Sequence, residues 1–368
     1  MARYYNPFPG KPAPVEFSGL FLFYPDVMLK LVGESMSASF SEMDEQSLYK
    51  RLRRVRQGKQ KETPQLRRDL LAKLSSENPR HKKFRLALEG DECSQQEVSN
   101  IGEWECYITG QGNNSIPHHL AFLIDIERAC AQPLKLITQG RYPLAAHLLE
   151  QDELMSRILW PEALRILKTS ADAKAILPLQ ASVAMEVHLS HLASWDAEHS
   201  VAPETGDESQ LICILPSSRT PNRNPASLFF RWLVNEIGVK SASSMLNDDR
   251  AIGLSLDPVT LMNWNRGRHY PNILQLQSLV AAFLSNVDHT PAWNRYWGAK
   301  YLGFLGYLAE MCSEKARRLI GTEQETALAP WPALPFGYPT FEAWCQARYP
   351  YWFDFHMRRG PESSEKRG

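Results

Sequence analysis

The 368-residue chain carries no net charge, its 41 Lys and Arg being balanced by 41 Asp and Glu. That excludes a uniform polycation that coats nucleic acid indiscriminately. Long apolar runs are also missing. The stretch from Gly19 to Val32 is broken by Pro25, Asp26 and Lys30, well short of the ~18 apolar residues that a membrane span requires. No charged-then-apolar leader pattern precedes it, so no membrane partner and a cytoplasmic location are expected. Close cysteine pairs are absent as well. Cys93, Cys106, Cys130, Cys213, Cys312 and Cys345 stand far apart, which predicts reduced thiols in an intracellular protein. Grouping Cys93 and Cys106 with His118 and His119 leaves out the close ligand pairs of a structural zinc site.

Motifs for catalysis are lacking too. There is no G-x-S-x-G, no phosphate-binding P-loop and no paired Cys/His nucleophile. Gly110 and Gly112 have neither a third glycine nor a clear helix after them, so a dinucleotide fingerprint fails. Neither a catalytic residue nor a cofactor is assigned. Glu186, His188 and His191, with Asp196, Glu198 and His199 downstream, allow a metal-dependent enzyme as a third reading. The arrangement departs from H-E-x-x-H, and histidines on a helix surface are the plainer explanation, so no metal ligand is assigned.

What the chain does have is 43% apolar residues and 10% aromatics, enough for a sizeable core and two or three domains. Its charge is segregated. From Lys50 to Arg85 fourteen bases stand against three acids, and from Leu86 to Cys106 there are six acids and no base. Ser41, Leu48, Leu52, Val55 and Gly58 predict a helix through the basic block. Thr63 and Pro64 then open a second, with Leu66, Leu70, Leu71 and Leu74 on one side. Several phosphate contacts from Lys50, Arg51, Arg53, Arg54, Arg56, Lys59, Lys61, Arg67 and Arg68 would give salt-dependent nucleic-acid affinity; a solvated, charged helix pair is the alternative.

The predicted fold is mostly α and multi-domain, with a small β element near 103–110. A basic N-terminal helical region covers 1–115 and a helical domain 116–200, whose short helices are interrupted at Pro133, Pro143, Pro161 and Pro178. A linker over 201–224 precedes a second helical domain over 225–320 and an aromatic- and Pro-rich tail over 321–368. Ten of the chain's 38 aromatics fall between Trp331 and Phe355. They either pack back on the helical body, as so many rings usually do, or dock a partner, whether a second copy or another protein.

The most informative segment, Leu256 to Pro271, reads L-D-P-V-T-L-M-N-W-N-R-G-R-H-Y-P. Asp257 is a good N-cap, Pro258 suits the first helical position, and Leu256 lies where it would staple to Leu261. Leu261 and Trp264 share a face, and Gly267 suits a left-handed C-terminal cap. Apolar stripes flank the segment, Leu228 to Ile237 before it and Ile273 to Leu284 after it.

Over residues 225–285 this pattern resembles the lambda-repressor-like (Cro-like, Xre-type) helix-turn-helix family. The recognition helix of that family ends in W-E-x-G, a short turn leads to a proline, and an amphipathic helix follows; Trp264, Asn265, Arg266, Gly267 and Pro271 correspond here. The resemblance implies a helix-turn-helix bundle with Leu261 and Trp264 in its core. It implies that Pro258, Val259, Thr260 and Asn263 face bases in the major groove, and that Arg266, Arg268, His269 and Tyr270 approach phosphate. Asn265 replaces the usual glutamate. The second helix is poorly defined, with Ala242 to Leu246 as its core and Asn247 to Leu254 as an apparent insertion. The basic block repeats the same helix, glycine, proline, helix order without a tryptophan.

The expected function is sequence-specific binding of double-stranded DNA by a prokaryotic regulator, or by an accessory factor of a mobile element or phage-defence system. The alternative is a protein-interaction subunit that uses the helices as scaffold.

Overall fold

A computed structural model describes residues 4–8, 13–17, 20–24, 118–170, 175–199, 209–217, 223–254, 256–285, 288–320 and 338–359. The basic block from Lys50 to Arg85 and the β element expected near 103–110 lie outside these residues. The described part is mostly helical. None of its helices is long and apolar enough to cross a membrane. The chain divides into two units, 9–187 with 361–368 and 1–8 with 188–360.

In the first unit, β1 (Ala13–Phe17) and β2 (Leu20–Tyr24) pair antiparallel, with Ala13 opposite Tyr24 and Phe17 opposite Leu20. The helices α1 (His118–Thr138), α2 (Tyr142–Gln151), α3 (Glu153–Ile158) and α4 (Pro161–Thr169) follow. Prolines govern their ends as expected at two positions, Pro143 and Pro161 both standing in a first turn where no N–H is needed. Pro133 does not interrupt. It sits inside α1, where the missing N–H and ring clash cost about 3 kcal/mol. The compensation is a buried face formed by Ile126, Cys130, Pro133, Leu136 and Ile137. Asp152 starts α3 by accepting hydrogen bonds from the backbone N–H of Leu154 (3.0 Å) and Met155 (2.9 Å). The next helix, α5 (Ile176–His199), contains Pro178 in its first turn and is divided between the units at residues 187 and 188. Within the first unit, the buried Glu186 accepts a 2.9 Å hydrogen bond from the Trp160 indole.

The second unit assembles the remainder of α5, α6 (Pro225–Glu236), α7 (Pro258–Asn265), α8 (Ile273–Phe283), α9 (Thr290–Ile320) and α10 (Phe341–Arg359). Part of the expected linker is folded here. Ile212–Ile214 form a 3-10 turn, and Leu211 and Ile214 are wholly buried. In the described part of the aromatic tail, α10 buries Trp344, Tyr349 and Trp352 completely. Each such ring removes 150–250 Å² or so from water. Tyr4 of the N-terminal segment lies against α9 at Gly306, where a Cβ would overlap its ring. Its hydroxyl donates to the buried Glu342 at 2.6 Å, and its ring meets Phe341 edge-on at 5.0 Å.

Several buried polar groups in this unit are paired across the chain. His188 Nδ1 lies 2.6 Å from the Tyr301 hydroxyl, and Ser190 Oγ lies 2.8 Å from His356 Nε2. Asp196 Oδ2 accepts from both Ser209 Oγ (2.5 Å) and the Tyr349 hydroxyl (2.6 Å). Burial nevertheless raises the Asp196 pKa, against the lowering effect of those hydrogen bonds. The folded state therefore holds the proton more tightly than the unfolded chain does. The associated stability is complete below the ordinary carboxylate value of 3.8 and is lost as pH rises through the folded-state value. Asp196→Asn, which keeps one oxygen for the two hydroxyls, is expected to gain in urea midpoint relative to the native chain as pH is raised from 4 to 8. A constant difference across that range would contradict the assignment.

Candidate nucleic-acid interface

The geometry of α7 follows from its local sequence. Asp257 is the N-cap, accepting from Thr260 N at 2.8 Å and from Thr260 Oγ1 at 3.0 Å, and Pro258 occupies the first helical position. These hydrogen bonds to the charged form lower the Asp257 pKa. Further along the helix, Leu261 and Trp264 are buried. The Trp264 ring meets Phe230 of α6 at 5.5 Å between centroids. Gly267 then ends the helix at φ +67°, a conformation that costs an L side chain about 1–2 kcal/mol.

A long-range clamp reinforces that end. Asn224, the N-cap of α6, accepts from Ser227 N at 3.1 Å while its amide nitrogen donates to Gly267 O at 2.8 Å. One side chain thus terminates α7 and initiates α6, fixing the two helices against each other.

Where the resemblance implies a second helix, the chain forms 3-10 turns at Ala242–Asn247 and Asp249–Ala251. Ser241 caps the first, whose Met245 is fully buried, and Asp248 caps the second. Three residues per turn and serine or aspartate caps suit a segment too polar to bury an α-helical face. Gly253, at φ +92°, leads out of it.

The outer face of α7 carries no charge. Val259 is 61% exposed and Pro258 is exposed, while Thr260 and Asn263 are half-buried. The Thr260 hydroxyl is committed as a donor to Asp257, leaving its lone pairs and methyl to meet a ligand. The Asn263 amide has no protein partner among the described residues. Arg266, Arg268 and His269 are exposed just beyond the helix. Neither arginine forms an ion pair among the described residues, in contrast to Arg250, held by Asp248 at 2.8 Å.

Tyr270 is placed otherwise than expected. Its hydroxyl donates to Ala299 O at 2.7 Å, and burial pushes its pKa well above the ordinary tyrosine value. It anchors the loop to α9 and is not available to phosphate. The close approach requires Gly303, where a Cβ would stand 2.8 Å from that oxygen. Two exposed apolar residues add to the surface expected from the sequence. Met262, 46% exposed, follows Val259 by three residues and so shares its face, a spacing present in the sequence. Ile252, 82% exposed, sits in the turn before α7, where periodicity carries no signal.

The histidine-rich stretch of α5 does not converge on one centre. Glu186 bonds Trp160, His188 bonds Tyr301 and Asp196 bonds Ser209 and Tyr349. No group of three His, Cys, Asp or Glu side chains suited to a metal ion occurs among the described residues. The chain matches no protein-family model, no curated protein and no solved structure.

Proposed function

We propose that the protein binds double-stranded DNA site-specifically through a helix-turn-helix whose recognition helix is α7, with the Ala242–Asn247 turn in the place of its second helix and α6 packed behind it. In this reading it is a cytoplasmic regulator, or an accessory factor of a prokaryotic mobile element or phage-defence system, and it acts by binding without catalysis. The observation that carries the reading is the pair of exposed guanidiniums of Arg266 and Arg268, without ion pairs among the described residues, directly after a short, doubly capped helix with an uncharged outer face. Phosphate neutralisation supplies affinity, and uncharged side chains at base edges supply sequence preference. Asn263 suits bidentate recognition of adenine, and Val259 with the Thr260 methyl suits contact with thymine methyls. Met262 extends that apolar strip.

The test is selection of bound duplexes from random DNA by the full chain. A recurrent motif is expected. Asn263→Ala should relax preference at one position, a loss worth about 1–3 kcal/mol of discrimination, while leaving the salt dependence of binding unchanged. Recovery of no motif, with binding that ignores salt, would overturn the reading. The exposed Ile252, Val259 and Met262 favour a second reading, in which the same surface docks a protein partner. That reading requires binding to be lost with Met262→Ser while DNA affinity is absent throughout.

A further inference from the structure

The second unit contains a cavity of about 470 Å³ between the N-terminal segment, the loop after α7, the start of α8 and the side of α9. Its size falls within the range of small-molecule sites, roughly 300–1,000 Å³. Lys300 lines it. The ammonium lies 4.9 Å from the Trp297 ring centroid and 5.2 Å from those of Phe8 and Tyr296. It has no carboxylate partner among the described residues, and no carboxylate lines the cavity. Ring faces offset only part of the cost of removing a cation from water. Burial accordingly holds its pKa below the ordinary lysine value.

The other polar groups at the cavity are donors or are already committed. The buried Tyr5 hydroxyl lies beside the Tyr270 backbone and donates to no acceptor among the described residues. The Tyr270 and Tyr296 hydroxyls donate elsewhere, to Ala299 O (2.7 Å) and Pro271 O (2.9 Å). At the start of α8 the capping box uses Asn272 N and Gln275 N. The N–H groups of Ile273 and Leu274, residues that also line the cavity, therefore have no acceptor among the described residues, at the positive end of an 11-residue helix. The remaining walls are aromatic rings, Pro7 and Pro271, the aliphatic Ile273 and Leu274, the Asn6 amide, whose oxygen accepts from Phe8 N, and the exposed His269 imidazole.

We propose that this cavity binds a small molecule that carries a carboxylate or phosphate on an aromatic or apolar body. The anion meets the Lys300 ammonium, the Tyr5 hydroxyl and the free amides of α8, and the body lies against Tyr5 and Tyr296. This assignment does not rest on DNA binding: His269 borders both surfaces, but Lys300, Tyr5 and the start of α8 are not part of the proposed DNA face, and Arg266 and Arg268 are not part of the cavity.

The experiment titrates the full chain with phenyl phosphate, benzoate and, as a neutral control, benzyl alcohol, followed by ligand-observed NMR and calorimetry. At least one of the two anions should bind saturably and at least tenfold more tightly than benzyl alcohol. Lys300→Met, which keeps the stem and removes the charge, should weaken that anion tenfold or more. Tyr5→Phe should weaken it by a smaller factor, and Arg266→Ala with Arg268→Ala should leave it unchanged. Circular dichroism and urea midpoints verify that each variant is folded; if Lys300→Met fails to fold, Tyr5→Phe and the neutral control carry the comparison. The proposal is overturned if neither anion saturates, or if Lys300→Met binds as tightly as the native chain. Displacement of the bound anion by a 20-base-pair duplex would also overturn it, by reassigning the anion to the DNA backbone.

Discussion

Replacing Gly267 with alanine is expected to destabilise the second unit by about 2–3 kcal/mol, summing a left-handed backbone penalty of about 1–2 and a lost N-cap worth about 1. The two costs have separate origins. At φ +67° the added Cβ is strained by its own backbone. It would also fall inside the Asn224 side chain, forcing away the oxygen that caps Ser227 and the amide that holds Gly267 O. The check is a double-mutant cycle read from the urea midpoint of the second unit's tryptophan fluorescence. Asn224→Ala removes the obstruction along with the cap, so Gly267→Ala should cost about 1 kcal/mol less in that background than in the native one. Simple additivity would show that Asn224 does not oppose the Cβ. Loss of the clamp should also disturb the proposed function, because α7 would no longer be held against α6.

Removing both Arg266 and Arg268 as alanines is expected to weaken binding to any duplex about 10- to 100-fold at moderate salt, and to reduce the slope of log affinity against log salt by about 2. The two guanidiniums lie outside the packed core and form no ion pairs among the described residues, so folding should be unaffected. Sequence preference should also survive, since phosphate contacts position the protein without reading bases. Anisotropy titrations of a selected and a random duplex between 50 and 300 mM salt give both quantities. An unchanged slope would remove these arginines from the interface. A shallower slope with Asn263→Ala as well would mean that the division between base and phosphate contacts is drawn in the wrong place.

Local chemistry makes α7 legible in the amino-acid order alone. Asp257 and Pro258 start it, Gly267 ends it, and the spacing of Leu261 and Trp264 selects its buried face; each depends on neighbours within one or two turns. The 3-10 turns at Ala242–Asn247 and Asp249–Ala251 are less legible. Their caps are local, but whether Ala242 to Leu246 continues as an α-helix depends on the pocket that receives Met245. Pro133 shows the limit of a local rule, since tertiary burial around Cys130 and Leu136 outweighs a helix-breaking preference. Tyr270 shows it again. Nothing in R-H-Y-P distinguishes a phosphate contact from a hydroxyl aimed at Ala299 O, 29 residues away.

The sequence by itself determined the mostly helical character, the caps and core face of α7, and the exposure of Arg266 and Arg268, because short-range sterics and periodicity decide such features. Tertiary structure alone decided that Asn224 clamps Gly267, that Trp344, Tyr349 and Trp352 become core, and that Lys300 lines a cavity with no carboxylate among its described neighbours. Those features depend on which distant side chains meet. A charge balance of zero says nothing of where a single ammonium stands among aromatic rings.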